Sequence, residues 1–280
     1  MKRCAAALCA LGAMVGAITA APARADGPGM GTPTVVSVGD SAISGEAGRW
    51  AGNTNKSPSR VDALGPTAYH DTPAGEAIRG CHRSKAAEVH IGAGVESANL
   101  ACSGARTYTQ PHSSGANFKP GLDFYDDGAG HVGQAHALRD YARTHNVKLV
   151  VVLIGANNFG FASVVQTCLT NWLTSPTWWK NYCSDDASVT SMFTPAYIQQ
   201  QRDRVIGAFA NLKRAMSDAG YAEGSYRLLA QTYSSPVPDG SGFRYSESGY
   251  TRQTIGGCGV WNRDADWANA TMVATLNGVV

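Results

Sequence analysis

Three short stretches carry groups that together could run an acyl transfer. Val38-Gly39-Asp40-Ser41-Ala42 sets a hydroxyl in a tight turn after an apolar run. Ala101-Cys102-Ser103-Gly104-Ala105 offers a glycine whose backbone can approach a substrate and donate its N–H. Gly155-Ala156-Asn157-Asn158 offers an amide side chain. A serine hydroxyl becomes a competent nucleophile when a base takes its proton, and the oxyanion that then develops needs preorganised donors. Ser41 is placed to be that nucleophile. The N–H groups at the start of the following helix, Gly104 and Asn157 are placed to be the donors. Each stretch also has a plainer reading: turn and N-cap chemistry for Gly-Asp-Ser, a simple turn at Gly104, an Asx-turn at Asn157. What unites them is position, because each follows a run that reads as a strand.

Those runs are apolar and rich in β-branched residues, at 34–38, 95–101, 147–154 and 226–232. The run Lys148-Leu149-Val150-Val151-Val152-Leu153-Ile154 is apolar on both faces, as in strands buried inside a parallel sheet. Helical patterns lie between them at 132–145 and 196–219. The second carries Ile198, Val205, Ile206, Phe209, Leu212 and Met216 at near-helical spacing, with Gly220 as a stop. Strands alternating with helices predict a three-layer α/β/α sandwich in one domain, decorated by polar insertions at 46–80 and 172–195. In such sheets the loops beyond the strands' carboxyl ends build the site.

The order and spacing of the three stretches resemble the first three blocks of the SGNH/GDSL hydrolase family. The secreted actinobacterial branch is similar at Ser44-Gly45-Glu46-Ala47-Gly48-Arg49-Trp50 and at Ile154-Gly155-Ala156-Asn157-Asn158-Phe159-Gly160-Phe161 leading to Cys168. The likeness covers 33–280. It implies a flavodoxin-like parallel sheet and a serine esterase or lipase that works through an acyl-enzyme without a cofactor. Ser41 would be the nucleophile, and the Ser41 and Gly104 amides with the Asn157 side chain the oxyanion hole. The family has Asp where Asn158 stands, a structural position, so the chemistry is unaffected. The same residues would serve transfer of the acyl group to a sugar or lipid hydroxyl. A secreted binding protein or pseudoenzyme on this fold is the non-catalytic alternative. Trp172, Trp178, Trp179 and Tyr182 are either a substrate-facing wall or cover for the core.

Lys2 and Arg3, an apolar run to Ala20 and Ala23-Arg24-Ala25 read as a signal peptide removed after residue 25, which makes the protein secreted. The run is shorter than the roughly 20 residues that span a bilayer. The remaining 255 residues carry 20 Lys and Arg against 21 Asp and Glu, so nothing basic invites nucleic acid. A small-molecule or lipid ester is the expected partner, the chain is expected to be a monomer, and no metal-ligand spacing occurs. Cys81 with Cys102 and Cys168 with Cys183 are the sequence-neighbour disulfides, each stabilising by about 3 kcal/mol on chain-entropy grounds. Cys258 is left over; by resemblance it pairs with a later cysteine. All seven histidines lie at or before His145, and the family's Asp-x-x-His block is absent. The expectation is therefore a chain truncated at its carboxyl end, without its catalytic histidine or a fifth strand. His112 is a poor substitute because it lacks a fixed orienting partner. The chain ends inside a helical pattern that Asp264 or Asp266 would cap.

Overall fold

The computed structural model describes residues 27–49, 65, 67–110, 117–255 and 258–280. Residues 1–25, read from the sequence as a signal peptide, and Trp50 and His112 lie outside them. Four strands, β1 (Pro33–Gly39), β2 (Glu96–Asn99), β3 (Asn146–Leu153) and β4 (Arg227–Ala230), form one parallel sheet in the order β2-β1-β3-β4. That order fills the first four places of a flavodoxin-like sheet.

The two central strands are the most apolar, and a parallel sheet buries its middle on both faces. One face of the sheet packs Val36, Val38, Val147, Val150 and Val152 against Leu138, Ala208, Leu212 and Met216. Those partners come from α2 (Gln134–Ala142) and α4 (Pro195–Asp218). Thr194 caps α4 by accepting from the Tyr197 N–H and Pro195 occupies its first turn, and Gly220, the stop read from the sequence, follows it in the left-handed region. The opposite face packs Val35, Val151 and Leu153 against Ile43, Ala87 and Val89. That layer is thin: it comprises the single turn α1 (Ser41–Ser44) and the irregular segment around 84–95.

The sequence assigned no element to 161–171 and a polar insertion from 172, where the chain forms α3 (Phe161–Thr174), whose buried Val164 and Cys168 pack in a third cluster with Val205, Met272 and Leu276. The edge strands are shorter than their apolar runs suggested, β2 because it is polar, with Glu96 exposed and Ser97 and Asn99 only partly buried. The outer flank of β4 is open among the described residues, leaving Leu229 49% exposed.

Both neighbour disulfides are formed, Cys81–Cys102 and Cys168–Cys183, and Cys258 is free. The final helical stretch runs through α5 (Asn262–Trp267), a π-helical turn and α6 (Ala274–Gly278). Neither acidic residue caps it. The Asp264 carboxylate accepts from the Cys183 and Ser184 N–H groups and Asp266 from the Gly240 N–H, so both satisfy neighbouring loops instead. No helix of the described residues is long and apolar enough to cross a membrane.

Candidate active site

The sheet's register brings the three sequence stretches to one edge. Gly39 pairs with Leu153, and Val152 pairs with Ala230, so β1, β3 and β4 end level with one another. The ladder continues past β2, where the Cys102 N–H donates to Gly39 O at 3.0 Å. Gly39 itself has φ +139°, and a Cβ there would lie 2.0 Å from Leu153 O, so only glycine lets the chain turn sharply enough to present Ser41. Gln134 holds that turn from the buried side: its Oε1 accepts from Gly39 N–H at 2.7 Å and its Nε2 donates to Gly39 O at 2.9 Å.

Ser41 opens α1, with Asp40 as the N-cap, accepting from the Ala42 N–H. One turn is too short to develop a helix macrodipole, which corrects the sequence expectation; what remains is individual N–H groups. Among the described residues, neither the Ser41 N–H nor the Gly104 N–H has an acceptor, and Ser41 Oγ makes no hydrogen bond. Gly104 sits at φ +81°. Asn157 Nδ2 donates to Ala105 O at 2.9 Å, so the side chain bonds across to the neighbouring stretch, and one amide hydrogen stays uncommitted. Asn158 is a buried strut. Its Oδ1 accepts from Thr107 N–H, and its Nδ2 donates to Thr107 Oγ1 and Gln201 Oε1.

Two hollows meet at Ser41. A cavity of about 790 Å³ is lined by Asp40, Ser41, Asn157, Tyr233, Val273 and Leu276 among others. A second, of about 500 Å³, is lined by Ser41, Glu46, Ser103, Gly104, Asn157 and Phe161 among others. No described histidine lines either. Trp172 is 4% exposed and meets Trp261 and Tyr250, whereas Trp178 and Trp179 are 82% and 73% exposed and border neither hollow. The aromatic group thus divides into core cover and open surface, and does not wall the site. No group of three or more metal-ligating side chains occurs among the described residues.

Tyr233 and Asp40 form a pairing that sequence reasoning missed. The Tyr233 hydroxyl donates to Asp40 Oδ2 and accepts from the Ala156 N–H at 3.1 Å, tying the β4 loop to those after β1 and β3. Burial pushes the Asp40 carboxyl up to about 7, against the pull of its Tyr233 and Ala42 hydrogen bonds. Burial and the Asp40 charge raise the Tyr233 hydroxyl well above its usual range.

A carboxyl raised in the folded state favours folding below its unfolded value near 4 and loses that contribution as pH rises to about 7. The ceiling is roughly 4 kcal/mol. Asp40→Asn keeps an N-cap oxygen and abolishes the titration. Its melting temperature should therefore gain on the wild type by about 5 °C or more between pH 5 and pH 8. Parallel curves for the two proteins would contradict the assignment.

No protein-family model and no curated protein matches this chain. Among solved structures it is similar to an extracellular lipase from Streptomyces rimosus, over 88% of this chain and 77% of that one, at 18% identity and a TM-score of 0.38.

Proposed function

We propose that this chain is an exported serine ester hydrolase of the SGNH kind, with Ser41 as the nucleophile. The observation that carries the reading is the convergence, on one cavity edge, of an unbonded serine hydroxyl and three uncommitted donors. These are the Ser41 N–H, the Gly104 N–H and one hydrogen of the Asn157 amide. Ser41 Oγ attacks the ester carbonyl carbon as a base removes its proton. The carbonyl π electrons move to oxygen, where the three donors stabilise them, and the alcohol leaves with a proton as the acyl-enzyme forms. Water then repeats the sequence and releases the acid.

An apolar hollow of about 240 Å³, lined by Val164, Leu169, Val260 and Met272 among others, shares Phe161 and Pro236 with the Ser41 cavity. It supports an ester with an apolar acyl part. The two disulfides fit an oxidising compartment.

With no described imidazole lining the site, free imidazole should serve as the base. Labelling of Ser41 by a fluorophosphonate is expected to accelerate in proportion to added imidazole, by roughly tenfold, below the 10² to 10⁴ of a positioned base. Labelling indifferent to imidazole would contradict the open proton-acceptor position. A protein that never labels under any of these conditions would be a binding protein on the same frame.

A further inference from the structure

Glu46 follows Gly45, the C-cap of α1, and lines the cavity that Ser41, Gly104 and Asn157 share. Its two carboxylate oxygens are both engaged. Oε2 accepts from Ser103 Oγ at 2.7 Å, and Oε1 accepts from His82 Nδ1 at 2.9 Å. Ser103 precedes Gly104, and the peptide between them carries the Gly104 N–H. Three further contacts hold the same turn. The Ser103 N–H donates to Cys81 O at 2.9 Å, Gln110 Nε2 donates to Gly104 O at 3.1 Å, and the Lys119 methylenes lie 3.4 Å from where a side chain on Gly104 would begin. Of these contacts, the Glu46 side-chain bond is the one that reaches the segment bearing Ser41, which the turn also meets through the Cys102 N–H on Gly39 O.

His82 is itself fixed for this task. It is a non-glycine residue at φ +51°, a conformation that persists only when its surroundings over-determine it. Its N–H donates to Glu76 Oε1 at 2.7 Å, its ring stacks on Tyr69 at 4.7 Å, and the Tyr69 hydroxyl donates to Glu46 O. The neighbouring Cys81 is bonded to Cys102.

We infer that Glu46 is a positioning residue for the oxyanion donors: through Ser103 it sets where the Gly104 N–H stands relative to Ser41, with His82 holding the carboxylate in place. The inference rests on the Ser41 reading above. It assigns Glu46 no proton transfer, and that separates it from a base. A glutamine at 46 can accept from His82 and donate to Ser103 Oγ, whereas an alanine can do neither.

The test is saturation kinetics of fluorophosphonate labelling in imidazole buffer, with peptide mapping of the adduct and a melting curve for each protein. Glu46→Ala should lower the maximal labelling rate by roughly 10- to 100-fold, short of the outright loss of a donor, with half-saturation changed by less than about twofold. Glu46→Gln should stay within about threefold of wild type. Glu46→Ala with Ser103→Ala should be no slower than the slower single variant, because the two act as one unit. An adduct on Ser41 whose rate ignores Glu46→Ala, or falls equally in Glu46→Gln, or falls additively in the double variant, overturns the inference alone. An adduct that survives Ser41→Ala overturns the parent reading and this one with it.

Discussion

Asn157→Ala is expected to cut the rate of Ser41 phosphonylation, and of ester turnover in imidazole buffer, by roughly 10² to 10³ while half-saturation changes little. The ground-state carbonyl carries little charge, so a donor aimed at the developing oxyanion is felt mainly in the transition state. The same change removes one hydrogen bond to Ala105 O, which costs about 1 kcal/mol, or a few degrees in melting temperature. A fall of many degrees with an unimpaired rate would show that Asn157 serves only to bind the two loops together.

Much of the frame was legible because it depends on local pattern. The 147–154 run reads as a buried central strand, and β3 is one, because its apolar residues satisfy both faces of a parallel sheet. The α4 helix was equally plain, since its apolar spacing marks its buried side and Gly220 marks its end. The cysteine pairs followed from short separations. Looking just beyond each strand singled out Ser41, Gly104 and Asn157 as candidates, and the fold brings the three to the lining of one cavity.

What escaped was non-local. α3 was missed because Phe161 to Thr174 contains Ser, Thr and Asn among its apolar residues and begins at a glycine with no side-chain cap. Gln134 looks like any polar residue at a helix start; its burial against Gly39 is a contact 95 positions away in sequence. Glu46 and His82 are 36 apart and meet through the fold, beside the Cys81–Cys102 bridge, the left-handed turn at His82 and the Ser84 N–H on Ser44 O. Tyr233 carried a usable signal, standing three residues past β4 where the fourth loop joins the site, but nothing in the sequence pairs it with Asp40. Asp264 and Asp266 misled for the same reason: an acidic residue near a helix start suits that helix locally, yet here it caps a loop brought in by the fold.

Ser41→Ala carries the largest expected effect. Without Oγ no covalent intermediate can form, so both labelling and ester turnover should fall to the level of the buffer. Its hydroxyl makes no hydrogen bond among the described residues, so the melting temperature should hold within about a degree or two. The decisive measurement is peptide mass mapping of the fluorophosphonate adduct in the wild type beside Ser41→Ala. A single adduct is expected, on the peptide containing Gly39-Asp40-Ser41, and none in the variant. An adduct on another residue, such as Ser103 in the same cavity, or undiminished labelling of the variant, would contradict it.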